Sequence, residues 1–283
     1  MTVGKICNLP FTHLESASLC LTPSFPPTEL QRLLSSGTLR RLKLAIYIHH
    51  FDTFMQIWDR CSPLIRHLKL DCRRCIGQPL PPFPSSVVPI PLHSLRAVFW
   101  GASASLRREQ QICPWALYPF DLTHLKALSL LDEIPIQWET IPTKTVRFLE
   151  LHATNYATAV DLGSFPQLAV IRIALDEHLA PMVLTTLSTI EPLHRIHTIL
   201  LDFSYHGLDE TDCAQLDSTL STLPLNPLPT VMFTDGYDRY EIARGCFPRL
   251  MERNMLQFVA REEDAGDIWW ENVVKQLDNE EGQ

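Results

Sequence analysis

The sequence predicts an α/β solenoid, a horseshoe in which about nine short strands form a parallel sheet on the concave side. Leucine accounts for 43 of the 283 residues, and a short apolar signature of the form L-x-x-L-x-L returns along nearly the whole chain. The first positions of successive signatures are 21 to 32 residues apart, a spacing typical of irregular leucine-rich repeats. The nine signatures occupy residues 14–19, 39–44, 65–70, 95–100, 125–130, 146–151, 168–173, 196–201 and 228–233.

Each signature predicts one strand. Its last two apolar positions are two residues apart, so both side chains point to one face of a strand and the residue between them points to the other. A strand that cannot bury its apolar face alone must stack on its neighbours, and strands joined by returning segments pair in parallel. The concave face then carries the residues on either side of the last apolar position.

Helices are predicted in several returning segments, because apolar residues recur there at helical spacing. A crowd of six prolines between Pro79 and Pro91 predicts an extended loop instead. A closing helix and a last strand near Leu256 to Val259 are expected at the end of the solenoid. The predicted helices run from Pro27 to Leu34, from Asp52 to Cys61, from Met182 to Ile190 and from Asp209 to Leu223.

The C-terminal end of the chain differs from the rest in charge. Residues 1–260 are expected to form the solenoid, and residues 261–283 an acidic extension with eight acidic and two basic side chains. Within it, Asp267 to Leu277 carries an apolar stripe and is a candidate helix. The adjacent Trp269 and Trp270 predict either a cap on the last repeat or a docking peptide. The cap is favoured, since exposed adjacent tryptophans lower solubility.

Composition narrows the classes of function. The net charge of −8 and the sequence pI near 5.7 argue against a nucleic-acid partner, which usually requires a basic domain. No apolar run is long enough to cross a membrane, and no secretory signal is apparent at the start. Eight cysteines are far too few for a disulfide scaffold of this length, so a cytoplasmic or nuclear location is expected.

Catalytic motifs with defined spacing are absent from the sequence: no glycine-rich phosphate loop, no nucleophile elbow and no zinc-protease helix occurs. We therefore expect no enzyme, no cofactor and no metal. A remote alternative is a metal-binding protein or enzyme centred on Cys72 and Cys75, which have ligand spacing. No second cysteine pair with defined spacing follows them, as a structural zinc site requires.

Three signatures, LRRLKL at residues 39–44, IRHLKL at 65–70 and LKALSL at 125–130, resemble the irregular repeats of F-box/LRR proteins. Residues 54–68, FMQIWDRCSPLIRHL, resemble those of mushroom-forming fungi in particular. The resemblance covers roughly residues 11–259 and implies the substrate-recognition region of a ubiquitin-ligase receptor. The first repeat starts at Phe11, so we expect no F-box in this chain, and a Skp-type adaptor and cullin would be partners only if an F-box is supplied elsewhere.

The predicted binding surface combines a basic rim with the concave face. The rim consists of the residue after the first apolar position in five consecutive signatures: Arg40, Arg66, Arg96, Lys126 and Arg147. The concave face is expected to present Lys43, Lys69, Phe99, Leu131, Glu150, His152 and Arg172. Strands are about 4.8 Å apart, so the rim predicts a basic strip that binds an acidic or phosphorylated protein segment.

Two alternatives remain open at this level. The cationic side chains of the rim could simply cover apolar edges while their charged ends stay in water. The chain could also be a scaffold unrelated to ubiquitin, because the repeats specify the fold whereas loop and rim residues specify the partner.

Overall fold

The structure is a computed structural model, and it divides into two compact units. The first comprises Met1–Leu125 and Leu131–Ile141, and the second comprises Lys126–Leu130 and Pro142–Gln283. The residues that the structure describes are 13–21, 33–47, 58, 61–73, 88–100, 120–132, 141–153, 159–175, 181–203, 210–235, 245–260 and 265–281.

The fold is α/β, with a large parallel sheet of ten strands and few helices. In the first unit the order is β1 (Ser16–Leu21), β2 (Arg41–Tyr47), β3 (His67–Arg73) and β5 (Ser94–Trp100). Two short strands of that unit, β4 (Ile90–Pro91) and β6 (Phe120–Asp121), pair separately. In the second unit the order is β7 (Ala127–Asp132), β8 (Phe148–Ala153), β9 (Val170–Leu175), β10 (Thr198–Phe203), β11 (Thr230–Asp235) and β12 (Leu256–Ala260).

In the first unit, apolar residues at alternate strand positions stack in register. Leu42 pairs with Leu68 and Leu68 with Leu95, and all three are buried. Beside them, the fully buried Trp58 meets the ring of Phe120 edge-on, with the ring centroids 5.0 Å apart. The alternation of side chains along a strand buries one face of these strands in this core.

The second unit repeats this arrangement over more strands. Leu149 pairs with Ile171, Ile171 with Ile199, and Ile199 with Val231, and each of the four is buried. The positions two residues later in each strand are buried as well, because residues i and i+2 share a face. The opposite face of the same strands therefore carries the intervening residues.

Four α-helices of the second unit lie within the described residues from end to end: α1 (Pro181–Ser188), α2 (Glu210–Ser221), α3 (Pro248–Glu252) and α4 (Ala265–Glu281). Helix α2 contacts both α1 and α3. The Asp217 carboxylate on α2 accepts the backbone N–H groups of Arg249 and Leu250, at 3.2 and 3.0 Å, and so satisfies donors in the first turn of α3. Among the described residues, none of the helices is both long and apolar enough to span a membrane.

The prediction of an α/β fold with parallel strands is confirmed, and a strand lies at each of the nine signatures. The helices predicted after Met182 and after Asp209 and the last strand are confirmed too. Of the two earlier helices, only Leu33, Leu34, Trp58 and Cys61 lie within the described residues. The first three are helical, whereas Cys61 is not, so the second helix ends before its predicted last residue. The prolines from 79 to 84 lie outside them.

Two signatures were placed wrongly in part. In the fourth, the residues in register with the core are Leu95 and Ala97, preceded by the buried Leu92, and not Leu95, Val98 and Trp100. The small Ala97 fills a core position that sequence reasoning reserved for a larger side chain. In the ninth, Val231 and Phe233 are buried as predicted, but Leu228 is 40% exposed.

Candidate functional site

The predicted basic rim is continuous over two positions in the first unit. The Arg66 N–H donates to the Arg40 carbonyl at 2.8 Å, and the His93 N–H donates to the Arg66 carbonyl at 2.7 Å. His93 therefore occupies the third position of the rim. Arg40 is exposed. The Arg66 guanidinium donates to the Pro63 carbonyl at 2.7 Å, so its charged end is hydrogen-bonded to the chain segment just before it.

The placement of Arg96 on this rim is wrong. The register pairs Arg96 with Lys69, and Lys69 with Lys43, because the fourth signature starts three residues earlier than predicted. Arg96 therefore lies on the strand face opposite the core, where it is 6% exposed. Lys43 is exposed and Lys69 is half-buried. We call these three in-register cations the cation row of the first unit.

The cation row is part of a polar strand face. On one side of it, the His67 Nδ1 lies 2.9 Å from the Ser94 hydroxyl, and on the other side Asp71 pairs with Val98 in the backbone register. Neighbouring strands are about 4.8 Å apart, so the three cations lie close enough to interact with one extended acidic segment. In the described part of the first unit, this face carries the three cations of the row and the carboxylate of Asp71.

Several predicted residues have no described side chain. Phe99 and Leu131 lie in β5 and β7, but their side chains are outside the described part, and the placement of Phe99 on the binding face depended on the incorrect register. Cys72 lies in β3, and Cys75 falls outside the described residues. Within the described ranges, no group of three or more His, Cys, Asp or Glu side chains is placed to hold a metal ion.

In the second unit, Lys126 and Arg147 are neighbours on the rim, as predicted. The Arg147 N–H donates to the Lys126 carbonyl at 2.7 Å. Both side chains meet acidic residues of α4: the Arg147 Nη1 donates to Glu280 Oε2 at 2.6 Å, and the Lys126 Nζ lies 3.9 Å from Glu281 Oε1. The acidic C-terminal extension thus contains the segment that these two cations bind.

A buried chain of hydrogen bonds and ion pairs crosses the strand face of the second unit. Arg172 donates to Glu150 and to Asp202, the Ser129 hydroxyl donates to Glu150, and the Thr234 hydroxyl donates to Asp202 at 2.7 Å. Arg172 is 3% exposed, Glu150 0% and Asp202 2%. We call this set the polar ladder. Because each carboxylate has a cation and a hydroxyl, their burial is compensated within the strands.

His152, a further predicted site residue, is partly buried beside the polar ladder. Its Nε2 lies 3.7 Å from Glu150 Oε1, beyond hydrogen-bonding distance, and no described residue makes a hydrogen bond to this buried atom. The predicted concave-face residues Glu150, His152 and Arg172 are thus brought together, but the two charged ones bind each other.

Helix α4 lies on the strand face that carries the polar ladder. Its buried residues Trp270, Val273, Val274 and Leu277 form one apolar cluster with Ala127 and Phe148. Ala127 and Phe148 alternate with the core residues Leu128 and Leu149, so they belong to the face opposite the core. The candidate helix in the acidic extension is confirmed, but the expectation that the tryptophan pair caps the last repeat is wrong, since Trp270 packs on β7 and β8.

Comparison of the chain with family models, with curated proteins and with solved structures found no match. The arrangement of the side chains therefore has to carry the functional argument. In the described residues it offers two surfaces: the cation row of the first unit and the helix-covered face of the second.

Proposed function

We propose that this protein is a non-catalytic recognition module with the leucine-rich-repeat horseshoe fold, and that it binds an acidic or phosphorylated segment of a partner protein. The single observation that carries the proposal is the cation row, in which Lys43, Lys69 and Arg96 follow one another on adjacent strands. The resemblance to F-box/LRR proteins supports a role in substrate recognition for ubiquitin ligation.

The strand pattern supports the horseshoe. Every strand pairing described within either unit is parallel, and the strands occur at the spacing of the apolar signatures. Parallel strands joined by returning segments are the building unit of repeat solenoids, and such proteins commonly bind partners along the exposed strand face. The cation row lies on this face of the first unit.

The chemistry of the row suits an extended acidic ligand. Ammonium groups donate several hydrogen bonds to carboxylate or phosphate oxygens, and charge-assisted bonds of this kind are stronger than neutral ones. The exposed Lys43 and half-buried Lys69 would contact the ligand, while the buried Arg96 adds positive charge beside Lys69 on the next strand. The ligand would therefore bind more weakly as salt concentration rises.

Affinity capture from the cells that express the protein tests this proposal. Tagged wild-type chain is compared with Lys43→Glu/Lys69→Glu and with the matched control Lys144→Glu/Arg195→Glu, which reverses two exposed cations of the second unit. Circular dichroism checks that each variant folds. We expect a protein that wild type and control retain and that the first variant loses. Equal retention by all three chains would refute the role of the row.

The same capture separates the ubiquitin hypothesis from an unrelated scaffold. Retention of a Skp-type adaptor and a cullin together with the partner would favour ligase function. Retention of the partner without them would favour a stand-alone scaffold. Neither of these outcomes decides the role of the cation row, because the test of the row is the difference in retention between the variants.

A further inference from the structure

The second unit carries a surface that the cation row does not explain. Helix α4 covers the strand face opposite the core, and its apolar stripe follows the spacing i, i+3, i+4, i+7 at Trp270, Val273, Val274 and Leu277. Such spacing is how an amphipathic helix binds an apolar groove. Here the groove is lined by Ala127 and Phe148, with Val170 half-buried against the cluster.

Charges at the edge of the contact fix the orientation of α4. Glu280 and Glu281, one turn beyond Leu277, meet Arg147 and Lys126. Toward the other end, the Trp269 ring lies 5.8 Å from the Arg172 guanidinium, within the range of a cation–π interaction. The surface therefore selects a helix that has an aromatic start, an apolar middle and an acidic end.

The polar ladder on this face has its hydrogen bonds and ion pairs without α4. The charged groups of the polar ladder are compensated by one another, since Arg172 binds Glu150 and Asp202 and two hydroxyls from the strands complete the set. The main core of this unit lies on the other face of the strands. Departure of α4 would therefore leave every buried carboxylate of the ladder paired with its cation. An unpaired buried carboxylate would oppose exchange of the helix.

The same face continues beyond the apolar cluster that α4 forms with Ala127 and Phe148. Leu200 and Met232 occupy positions in register with Arg172 on the next strands, and both are half-buried. A partner helix that covers Ala127 and Phe148 and whose apolar side chains also reach these two residues would gain additional apolar burial. Such a partner has a physical means of replacing α4.

From these observations we infer that this face of the second unit is a binding site for an acidic amphipathic helix of another protein, and that α4 is its exchangeable occupant within the chain. The inference concerns a different surface from the cation row and stands independently of it. The partner is defined by its chemistry: apolar residues at helical spacing, aromatic at the start, followed by two acidic residues.

The test adds the α4 sequence in trans. A fluorescein-labelled peptide of residues 264–283 is titrated with the full-length chain and followed by fluorescence anisotropy. Three chains are compared: wild type, Val273→Asp, which loosens the resident helix, and Asn272→Asp, a matched control that adds the same charge on the exposed side of α4. Peptides with the same two substitutions test the specificity of binding.

We expect the Val273→Asp chain to bind the wild-type peptide about tenfold or more tightly than the other two chains, because the fraction of accessible sites rises. The Val273→Asp peptide should not bind, whereas the Asn272→Asp peptide should. Independently, excess peptide should accelerate amide hydrogen exchange in α4 of the wild-type chain, a readout that does not depend on a variant folding.

Absence of saturable binding together with unchanged exchange in α4 would overturn the inference. A dimer of the wild-type chain formed by exchange of α4, detected by light scattering, would also overturn it, because the occupant would then be a second copy. Neither result affects the capture difference caused by reversal of Lys43 and Lys69, so failure here and failure of the proposed function are distinguishable.

Discussion

Replacement of Arg172 by methionine tests the polar ladder directly. The side chain keeps its approximate volume but loses the guanidinium that binds both Glu150 and Asp202, and the two carboxylates are 0% and 2% exposed. Removing one partner of a buried ion pair destabilises a protein by about 3–5 kcal/mol. Two carboxylates share this cation, so we expect Arg172→Met to lie toward the upper end of that range.

The assay is urea denaturation at neutral pH, followed by far-UV circular dichroism, with the free energy of unfolding obtained by linear extrapolation. Arg195→Met is the matched control, because Arg195 is exposed, and we expect it to change stability by no more than about 0.5 kcal/mol. A triple variant adds Glu150→Gln and Asp202→Asn to Arg172→Met. It should lose less stability than Arg172→Met alone, since no buried charge is then left without a partner.

The combination of results identifies the cause. A loss of less than about 1 kcal/mol for Arg172→Met would refute the reasoning, because that is the value typical of exposed ion pairs. A triple variant that is as unstable as the single variant would show that lost packing, and not unpaired charge, causes the effect. Arg172 also contacts the Trp269 ring, and Trp269→Ala measures how much stability that contact contributes.

Three smaller predictions follow from single sites. Asp217→Ala should cost about 1–2 kcal/mol in urea denaturation, because the first turn of α3 loses its acceptor, whereas Asp217→Asn should cost less. Burial raises the pKa of the Cys61 thiol to about 12, so iodoacetamide at about pH 8 should label it far more slowly than the exposed Cys20, as read by peptide mass spectrometry. The hydroxyl of Thr123, and to a smaller extent its backbone N–H, donate hydrogen bonds that lower the pKa of Asp121. The Asp121 carboxylate therefore stabilises the fold at pH values above its unfolded pKa. This stabilisation is lost as the pH falls through its folded pKa. Thr123→Val should raise the pKa of Asp121 in carboxyl carbon NMR, and an unchanged value would contradict the assignment.

The positions of the strands could be predicted because they depend on a local property. Apolar residues two apart, such as Leu42 and Leu44, mark one face of a strand wherever they occur. The neighbour relations of Arg40 with Arg66 and of Lys126 with Arg147 follow from that alignment, and both are confirmed by backbone hydrogen bonds.

The fourth strand shows where local reasoning fails. Leu92-x-x-Leu95-x-Ala97 fits the signature as well as Leu95-x-x-Val98-x-Trp100 does, and the prediction used the second. The pairing with β3 selects the first, since Leu95 lies beside Leu68 and Ala97 beside Leu70. Register is set by the neighbouring strand, and a shift of three residues exchanges the two faces. Arg96 therefore belongs to the cation row instead of the rim.

The sequence contained a signal from which the polar ladder could have been predicted. Sequence reasoning placed Glu150 and Arg172 on one face of two successive strands, but it treated them as independent contacts for a ligand. Asp202 lies on the same face of the next strand. Their charges alternate in sign from strand to strand, and opposite charges on neighbouring strands attract each other. The alternation predicts mutual pairing, and the structure shows that pairing with all three side chains buried.

The site of α4 could not be derived from its own sequence. The apolar stripe of the helix requires a cover, and the acidic end favours cations, but both conditions are general. Only the assembled strands reveal that Ala127 and Phe148 form an apolar patch bordered by Lys126 and Arg147, since these residues come from signatures about twenty residues apart and meet through backbone pairing. The match of this composite surface to an amphipathic acidic helix is therefore a property of the fold, and any partner helix with the same pattern of apolar and acidic residues would compete for it.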